Sequence, residues 1–218
     1  MSPTYTLRYF STSGLAEASR LLLTAANVEW SEEHPEWPAE KANQPFGRLP
    51  VLIEKSADGG ADFVITESST IERYLARQHG FLPADLKQAA LQEQVRDRLL
   101  DVMVTFHTRS SIIADRLEEK KKAFEDMLAR FLGIHTETLK QNGNSGYLFG
   151  DSFSYADAVS YQFFKHFFFG AAISQADIAD HIKAKLTPEI VKHLVTIEAD
   201  PALAAHMAKA DTVTDLLV

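Results

Sequence analysis

The chain has 218 residues, 45% of them hydrophobic and 24% charged, with a formal net charge of −8 and no cysteine. A chain of this length buries roughly 70% of its unfolded surface, enough for a core without a disulfide or a structural metal, and the composition excludes disorder as the main state. The acidic balance argues against a nucleic-acid partner, and the missing thiols exclude disulfides, thiolate metal sites, iron–sulfur clusters and a cysteine nucleophile.

Taken in order, Tyr5 to Phe10 reads as a strand ended by the turn-prone Ser11–Gly14. Leu15 to Ala26 follows as a helix, with Leu15, Ala18, Leu22 and Ala25 at helical spacing. A short strand over Val28–Ser31 completes a βαβ unit. Leu49–Ile53 and Phe63–Ile65, joined through Asp58-Gly59-Gly60, read as an antiparallel hairpin, with Pro50 confined to a strand start or an edge. A helix over Ser69–Gln78 follows, Ser69 and Glu72 having capping-box spacing. These elements predict an alternating domain with a small mixed sheet.

Beyond Pro83 the period changes. Leu91, Val95, Leu99, Val102, Phe106 and Ile113 recur at three and four, as do Phe124, Leu128, Phe131, His135 and Leu139, which predicts a helical bundle. Gly143–Gly146 breaks the pattern, Ser154-Tyr155-Ala156-Asp157 opens an apolar helix, and Pro188 and Pro201 stand near the starts of shorter terminal ones. The tail from Thr212 to Val218 is apolar enough to lie on a domain surface. The expected domains are 1–80 and 88–218. No signal peptide is apparent, and the apolar stretch from Phe163 to Ile173 is interrupted by Lys165 and His166 and too short to cross a bilayer. A cytoplasmic location without a membrane partner is the expectation.

The eight histidines form no compact ligand pattern, so no metal is expected, and the Gly-rich and serine-hydrolase motifs are missing. Two features remain. Tyr9 closes the first strand, where its hydroxyl could serve an anion or simply be the wet tip of a packed ring. Glu67-Ser68 stands at a strand-to-helix junction that suits either a carboxylate ligand or plain capping.

Together these elements resemble the cytosolic glutathione transferases of the tyrosine type, most like the sigma class, over nearly the whole chain. The likeness is carried by Tyr9-Phe10 with Gly14–Glu17 and Arg20, Trp37 and Lys41, the stretch Pro45–Leu52, Glu67-Ser68 with Ile71, Tyr74 and Leu75, and Gly150–Asp157. It implies a thioredoxin-like α/β domain binding reduced glutathione, an all-helical domain supplying a hydrophobic substrate site, and a homodimer. Tyr9 would stabilise the glutathione thiolate by a hydrogen bond. Leu49 would pair with the cysteinyl backbone beside a cis Pro50, and Arg48 would border it. Ser68 would hold the γ-glutamyl carboxylate and Glu67 its ammonium, while Trp37 and Lys41 would meet the glycine end. Asp97 would reach the neighbouring subunit's γ-glutamyl group.

A small hydrophobic electrophile would lie among Phe10, Leu15, Leu100, Met103, Phe106 and His107. The implied activity is detoxifying conjugation. A glutathione-dependent isomerase or peroxidase, or a non-catalytic binding or structural protein, are the alternatives. Two residues depart from the resemblance: Leu15 replaces a common arginine aimed at the sulfur, and Arg48 replaces a glutamine or lysine.

Overall fold

The computed structural model describes residues 3–56, 58–110, 117–169, 182–209 and 212–213, with the side chains of 105–110, 117, 118, 120, 121 and 167–169 excepted. Strand β1 (Thr4–Arg8) buries Tyr5, Thr6 and Leu7 because it is an inner strand of a four-stranded sheet ordered β2-β1-β3-β4. Helix α1 (Glu17–Ala25), entered through a 3-10 turn at Gly14–Ala16, returns the chain to β2 (Glu29–Glu33), which pairs parallel with β1. Strands β3 (Val51–Glu54) and β4 (Phe63–Thr66) form the hairpin, and β3 runs antiparallel to β1. Pro50 lies one residue ahead of β3, where its missing N–H costs no ladder bond. The Leu49–Pro50 bond is cis, and so is Trp37–Pro38.

Two local expectations shift. Strand β2 begins at Glu29 rather than Val28 and extends to Glu33, although its sequence Glu-Trp-Ser-Glu-Glu is mostly polar. It is an edge strand, and its half-buried Glu32 is drawn inward by Arg20 (Nε to Oε1 2.6 Å). Helix α2 (Ser68–Gln78) has no capping box. Its N-cap is Glu67 without a side-chain cap bond, and Glu72 turns instead toward the next helix.

That next helix, α3 (Leu86–Ser110), packs against α4 (Leu117–Gln141) and α5 (Tyr155–Phe169). Val95, Leu99 and Val102 are buried as the spacing predicts, whereas Leu91 is 43% exposed and not part of the core stripe. Phe106 has no described side chain, and Ile113 lies outside the described residues. Phe124, Leu128, Phe131, His135 and Leu139 of α4 are all buried. Helix α6 (Pro188–Glu198) starts with Pro188 behind an N-cap Thr187 that accepts from Ile190 N–H, and α7 (Ala204–Met207) follows a 3-10 turn at Pro201–Leu203. Of the tail, Val213 is buried and 214–218 lie outside the described residues.

Helix α5 is buried on every side from Tyr155 to Lys165. A helix in that position has only the protein to satisfy its polar side chains, and most of them find partners, the Tyr155 hydroxyl having none among the described residues. Asp157 accepts from Leu148 N–H (2.8 Å), Ser154 N–H (2.9 Å) and Ser154 Oγ (2.6 Å), which ties down the turn before the helix. Ser160 lies 3.0 Å from both His135 Nε2 and His193 Nε2. Tyr161 donates to Glu198 (2.8 Å), Gln162 to the Gly14 carbonyl (3.0 Å) and Lys165 to Glu17 (2.7 Å).

Across the α2–α3 contact, Arg96 binds Glu72 through two bonds (2.6 and 3.3 Å), both side chains being nearly inaccessible. Breaking a buried pair from one side strands a charge and costs about 3–5 kcal/mol, while replacing both partners by apolar groups is often neutral. Glu72→Ala or Arg96→Ala alone is therefore expected to lose stability on that scale in urea unfolding. The double change Glu72→Leu with Arg96→Met should recover most of it.

Candidate active site

The sheet register gathers the residues singled out in sequence. Arg8 is opposite Val51 and Val51 is opposite Thr66. The next residues along each strand (Tyr9 after β1, Leu49-Pro50 before β3 and Glu67-Ser68 after β4) therefore emerge at one end of the sheet. Tyr9 is held there from both sides of its backbone. Its N–H donates to Glu33 O (3.1 Å), and its carbonyl accepts from His34 Nδ1 (2.9 Å), which must therefore carry a proton.

The Tyr9 side chain is 7% exposed. Its hydroxyl oxygen accepts the Leu15 backbone N–H at 2.9 Å, leaving its own proton to donate elsewhere. Burial pushes the hydroxyl pKa above its ordinary value, against the opposing pulls of the Leu15 N–H and the Arg20 cation. The phenol is consequently protonated at neutral pH and acts as a donor rather than a base.

Arg20 shapes the loop that brings Leu15 to Tyr9. Its guanidinium, 5.7 Å from the Tyr9 ring centre, donates to the carbonyls of Phe10 (3.0 Å), Thr12 (2.9 Å) and Ser13 (2.9 Å) as well as to Glu32. Gly14 completes the turn at φ +39°, and a Cβ there would stand 2.5 Å from the Tyr9 hydroxyl.

At the other side of the sheet end, Glu67 has φ +67°, a strained backbone for a residue with a side chain, and it directs the chain into α2. Its carbonyl accepts from Thr70 and Ile71, so the N–H groups of Ser68 and Ser69 head the helix. Ser68 Oγ accepts from Arg96 Nη2 (3.1 Å) and, like Tyr9, keeps its own proton for another acceptor.

Comparison with known proteins bears directly on this arrangement. Residues 5–77 match the model of the glutathione S-transferase N-terminal domain, and residues 104–210 match that of its C-terminal domain. The chain is 35% identical over 161 residues to glutathione S-transferase P 2 of Bufo bufo, covering 70% of this chain and 72% of that one. It is 30% identical over 215 residues to hematopoietic prostaglandin D synthase of Gallus gallus (95% and 96% covered). The chain belongs to the glutathione S-transferase family. It is a transferase, and the family uses glutathione as co-substrate. S-crystallin SL11 of Nototodarus sloanii is 26% identical over 95% of this chain and 97% of its own. The structure titled monomeric Na-GST-3 of Necator americanus superposes with a TM-score of 0.72 at 28% identity, covering 95% of this chain and 98% of that one.

The remaining residues distribute unevenly over this transferase. The Phe10 ring stands edge-on between Tyr9 (5.2 Å) and Trp37 (5.6 Å), and Lys41 Nζ lies 5.8 Å from the Trp37 ring, so these four are contiguous. Arg48 is exposed, Leu49 half-buried and Pro50 buried. Leu15 is half-buried beside Tyr9. Asp97 is exposed on α3 and binds Arg73 of the same chain (2.8 Å). Leu100 is 42% exposed, whereas Met103 is packed in the core. Phe106 and His107 are on α3, their side chains outside the described residues.

A concavity of about 1060 Å³ does not coincide with this sheet end. It lies behind the Ser11–Ser13 loop between α1, β2 and α7, and it is lined by charges such as Glu17, Arg20, Lys165 and His206. Among these, Glu17 already binds Lys165 (2.7 Å) and His206 (2.8 Å). Sequence reasoning missed Gln162, which reaches Gly14 from 148 positions away, and a lone glutamine in an apolar helix carries no local signal.

Gly14→Ala meets both a left-handed backbone and a collision with the Tyr9 hydroxyl. It is expected to cost more than about 1 kcal/mol in urea unfolding. It should also change the near-ultraviolet circular dichroism as the Tyr9 ring moves.

Proposed function

We propose that this chain conjugates the thiolate of reduced glutathione to small hydrophobic electrophiles, with the Tyr9 hydroxyl stabilising the sulfur. The observation that carries this reading is the Tyr9 hydroxyl: buried, protonated, and already accepting the Leu15 N–H, it has one proton to donate. A thiol like that of cysteine, with a pKa near about 8.5, is mostly protonated at pH 7, and a hydrogen bond to the anion shifts that balance. A downward shift of about two units corresponds to about 2.7 kcal/mol of preferential interaction with the thiolate.

The sheet supplies a ruler for the rest of the peptide. From β1 to β4 is two strand spacings, about 10 Å, a distance that an extended cysteinyl residue and its γ-linked glutamyl can span together. With sulfur at Tyr9, the cysteinyl backbone falls beside Leu49, bordered by Arg48 and Pro50. The γ-glutamyl end reaches Ser68, the α2 N–H groups and Glu67. Trp37 and Lys41 flank the opposite end, where Lys41 pairs with the glycine carboxylate. Leu15 contributes its backbone N–H to the tyrosine oxygen in a place where the resemblance led to an arginine side chain. Residues 1–80 form the glutathione-binding domain in this reading. Residues 88–218 form the helical domain that, with Phe10, Leu15, Leu100, Met103, Phe106 and His107, takes the second substrate.

A homodimer and a cytoplasmic detoxifying role belong to the same proposal. In this proposal Phe46, 82% exposed on the loop before β3, is a residue that the partner would cover. Asp97 then serves a neighbouring site only by giving up or sharing its bond to Arg73. A glutathione-dependent isomerisation is the second reading, supported by the prostaglandin D synthase relative across nearly the whole chain.

Tyr9→Phe is expected to leave the glutathione Kd nearly unchanged while raising the bound thiol pKa by about two units, read from thiolate absorbance against pH. An unchanged titration would remove Tyr9 from this role. Ser68→Ala loses a hydrogen bond to a charged group, about 1.5–3 kcal/mol, and should weaken glutathione binding by about 10- to 100-fold in calorimetry. Thiolate formation without turnover of any electrophile would instead favour isomerisation or binding alone.

A further inference from the structure

We propose that Gln162 of the helical part is a positioning residue for the Tyr9 hydroxyl, acting through the single peptide unit that joins Gly14 to Leu15. This rests on the reading of Tyr9 as the thiolate-stabilising group. The carbonyl of that peptide unit accepts from Gln162 Nε2 at 3.0 Å, and its N–H donates to Tyr9 Oη at 2.9 Å. A backbone carbonyl can only accept, so the Gln162 amide is obliged to present its NH2 group. Gln162, Gly14-Leu15 and Tyr9 thus form one directed chain of donors ending on the reactive hydroxyl.

The chain acts in two ways. A hydrogen bond on an amide oxygen polarises the amide and makes its N–H a stronger donor, strengthening the next bond by about 10–30%. A stronger bond to the Tyr9 oxygen makes its remaining O–H a stronger donor toward sulfur. Gln162 also fixes the plane of the peptide unit, which Gly14 at φ +39° would otherwise leave soft because it has no Cβ. Three residues on, α5 makes a second tie: Lys165 binds Glu17, so positions 162 and 165 engage positions 14 and 17 one helical turn apart.

The surroundings support a specific function for the amide. Gln162 is 3% exposed within a helix whose neighbouring Phe163 and Phe164 are core residues. An amide there must find a partner, and the partner it finds is the loop carbonyl next to the proposed catalytic hydrogen bond. Lys165 provides an internal comparison, since it ties the same helix to α1 without touching the Gly14–Leu15 peptide.

The experiment is a thiolate titration of bound glutathione in Gln162→Met, which keeps the side-chain length and removes the donor, with Gln162→Leu as a second apolar replacement. The expected result is a rise in bound thiol pKa of about 0.5–1 unit at a glutathione Kd within about two-fold of wild type. In the Tyr9→Phe background the same change should add nothing, because the chain then ends on no hydroxyl. Lys165→Met should lower stability and leave the thiol pKa in place. An unchanged pKa in the Gln162 variants overturns the proposal, as does an equal rise in the Tyr9→Phe background or in Lys165→Met. If Tyr9→Phe raises the pKa and Gln162→Met does not, only Gln162's role fails. If Tyr9→Phe has no effect either, the reading of Tyr9 fails with it.

Discussion

The Arg20 guanidinium is the interaction on which the proposed site depends. The loop from β1 to α1 has to turn sharply while keeping its carbonyls satisfied near the core. Arg20 takes three of them, at Phe10, Thr12 and Ser13, and anchors itself on Glu32 and Glu17. A planar fork with five donors can do this in one geometry, whereas a lysine ammonium offers three donors from a single point. With the loop so fixed, Gly14 can pass close to the Tyr9 ring and Leu15 can aim its N–H at the hydroxyl. The buried Glu17 has its carboxyl pulled down to about 2 by His206 and Lys165 in spite of its burial, so the carboxylate stays ionised throughout the neutral range.

The contact between the two halves of the chain is correspondingly polar where it meets the site. Arg96 joins Glu72 and touches Ser68, Lys165 joins Glu17, and Gln162 holds Gly14. Buried polar contacts of this kind contribute less net stability than apolar packing would, and a specificity role is their best-attested use. Arg96 ends on Ser68 and Gln162 ends beside the Leu15 N–H, both at atoms of the proposed site, whereas Lys165–Glu17 ties the two helices together away from it. In the proposed function the helical half thus takes part in thiol activation as well as in walling the substrate cleft. A second buried constellation, Ser160 between His135 and His193 with Asp157 nearby, has the residue types of a hydrolase triad. It is sealed in the core, with burial pushing His193 down to about 4, and serves packing around α5.

Much of the architecture was legible because local patterns agree with it. The βαβ start, the hairpin, the change of period beyond Pro83 and the apolar helix opened at Ser154 all follow from alternation, helical spacing and turn residues. Where the sequence misled, a long-range partner had outweighed a local preference. Glu72 has capping-box spacing from Ser69, yet Arg96 takes its carboxylate. Strand β2 is nearly all polar, yet pairing with β1 and the pull of Arg20 on Glu32 hold it in the sheet. Leu91 has the right spacing for the core but meets solvent.

What the sequence determined by itself was the inventory of elements, their order, and the residue types at their junctions: a tyrosine after the first strand, a Leu-Pro before the third, a Glu-Ser before the second helix. Those features are encoded in short windows, because strand ends and helix starts are governed by neighbours a few positions away. What only the tertiary structure decided was their convergence at one end of the sheet, the Leu15 N–H on the Tyr9 oxygen, and the reach of Gln162 to Gly14. These last depend on which way a side chain points across a contact between residues up to 148 positions apart, and no local pattern specifies that direction.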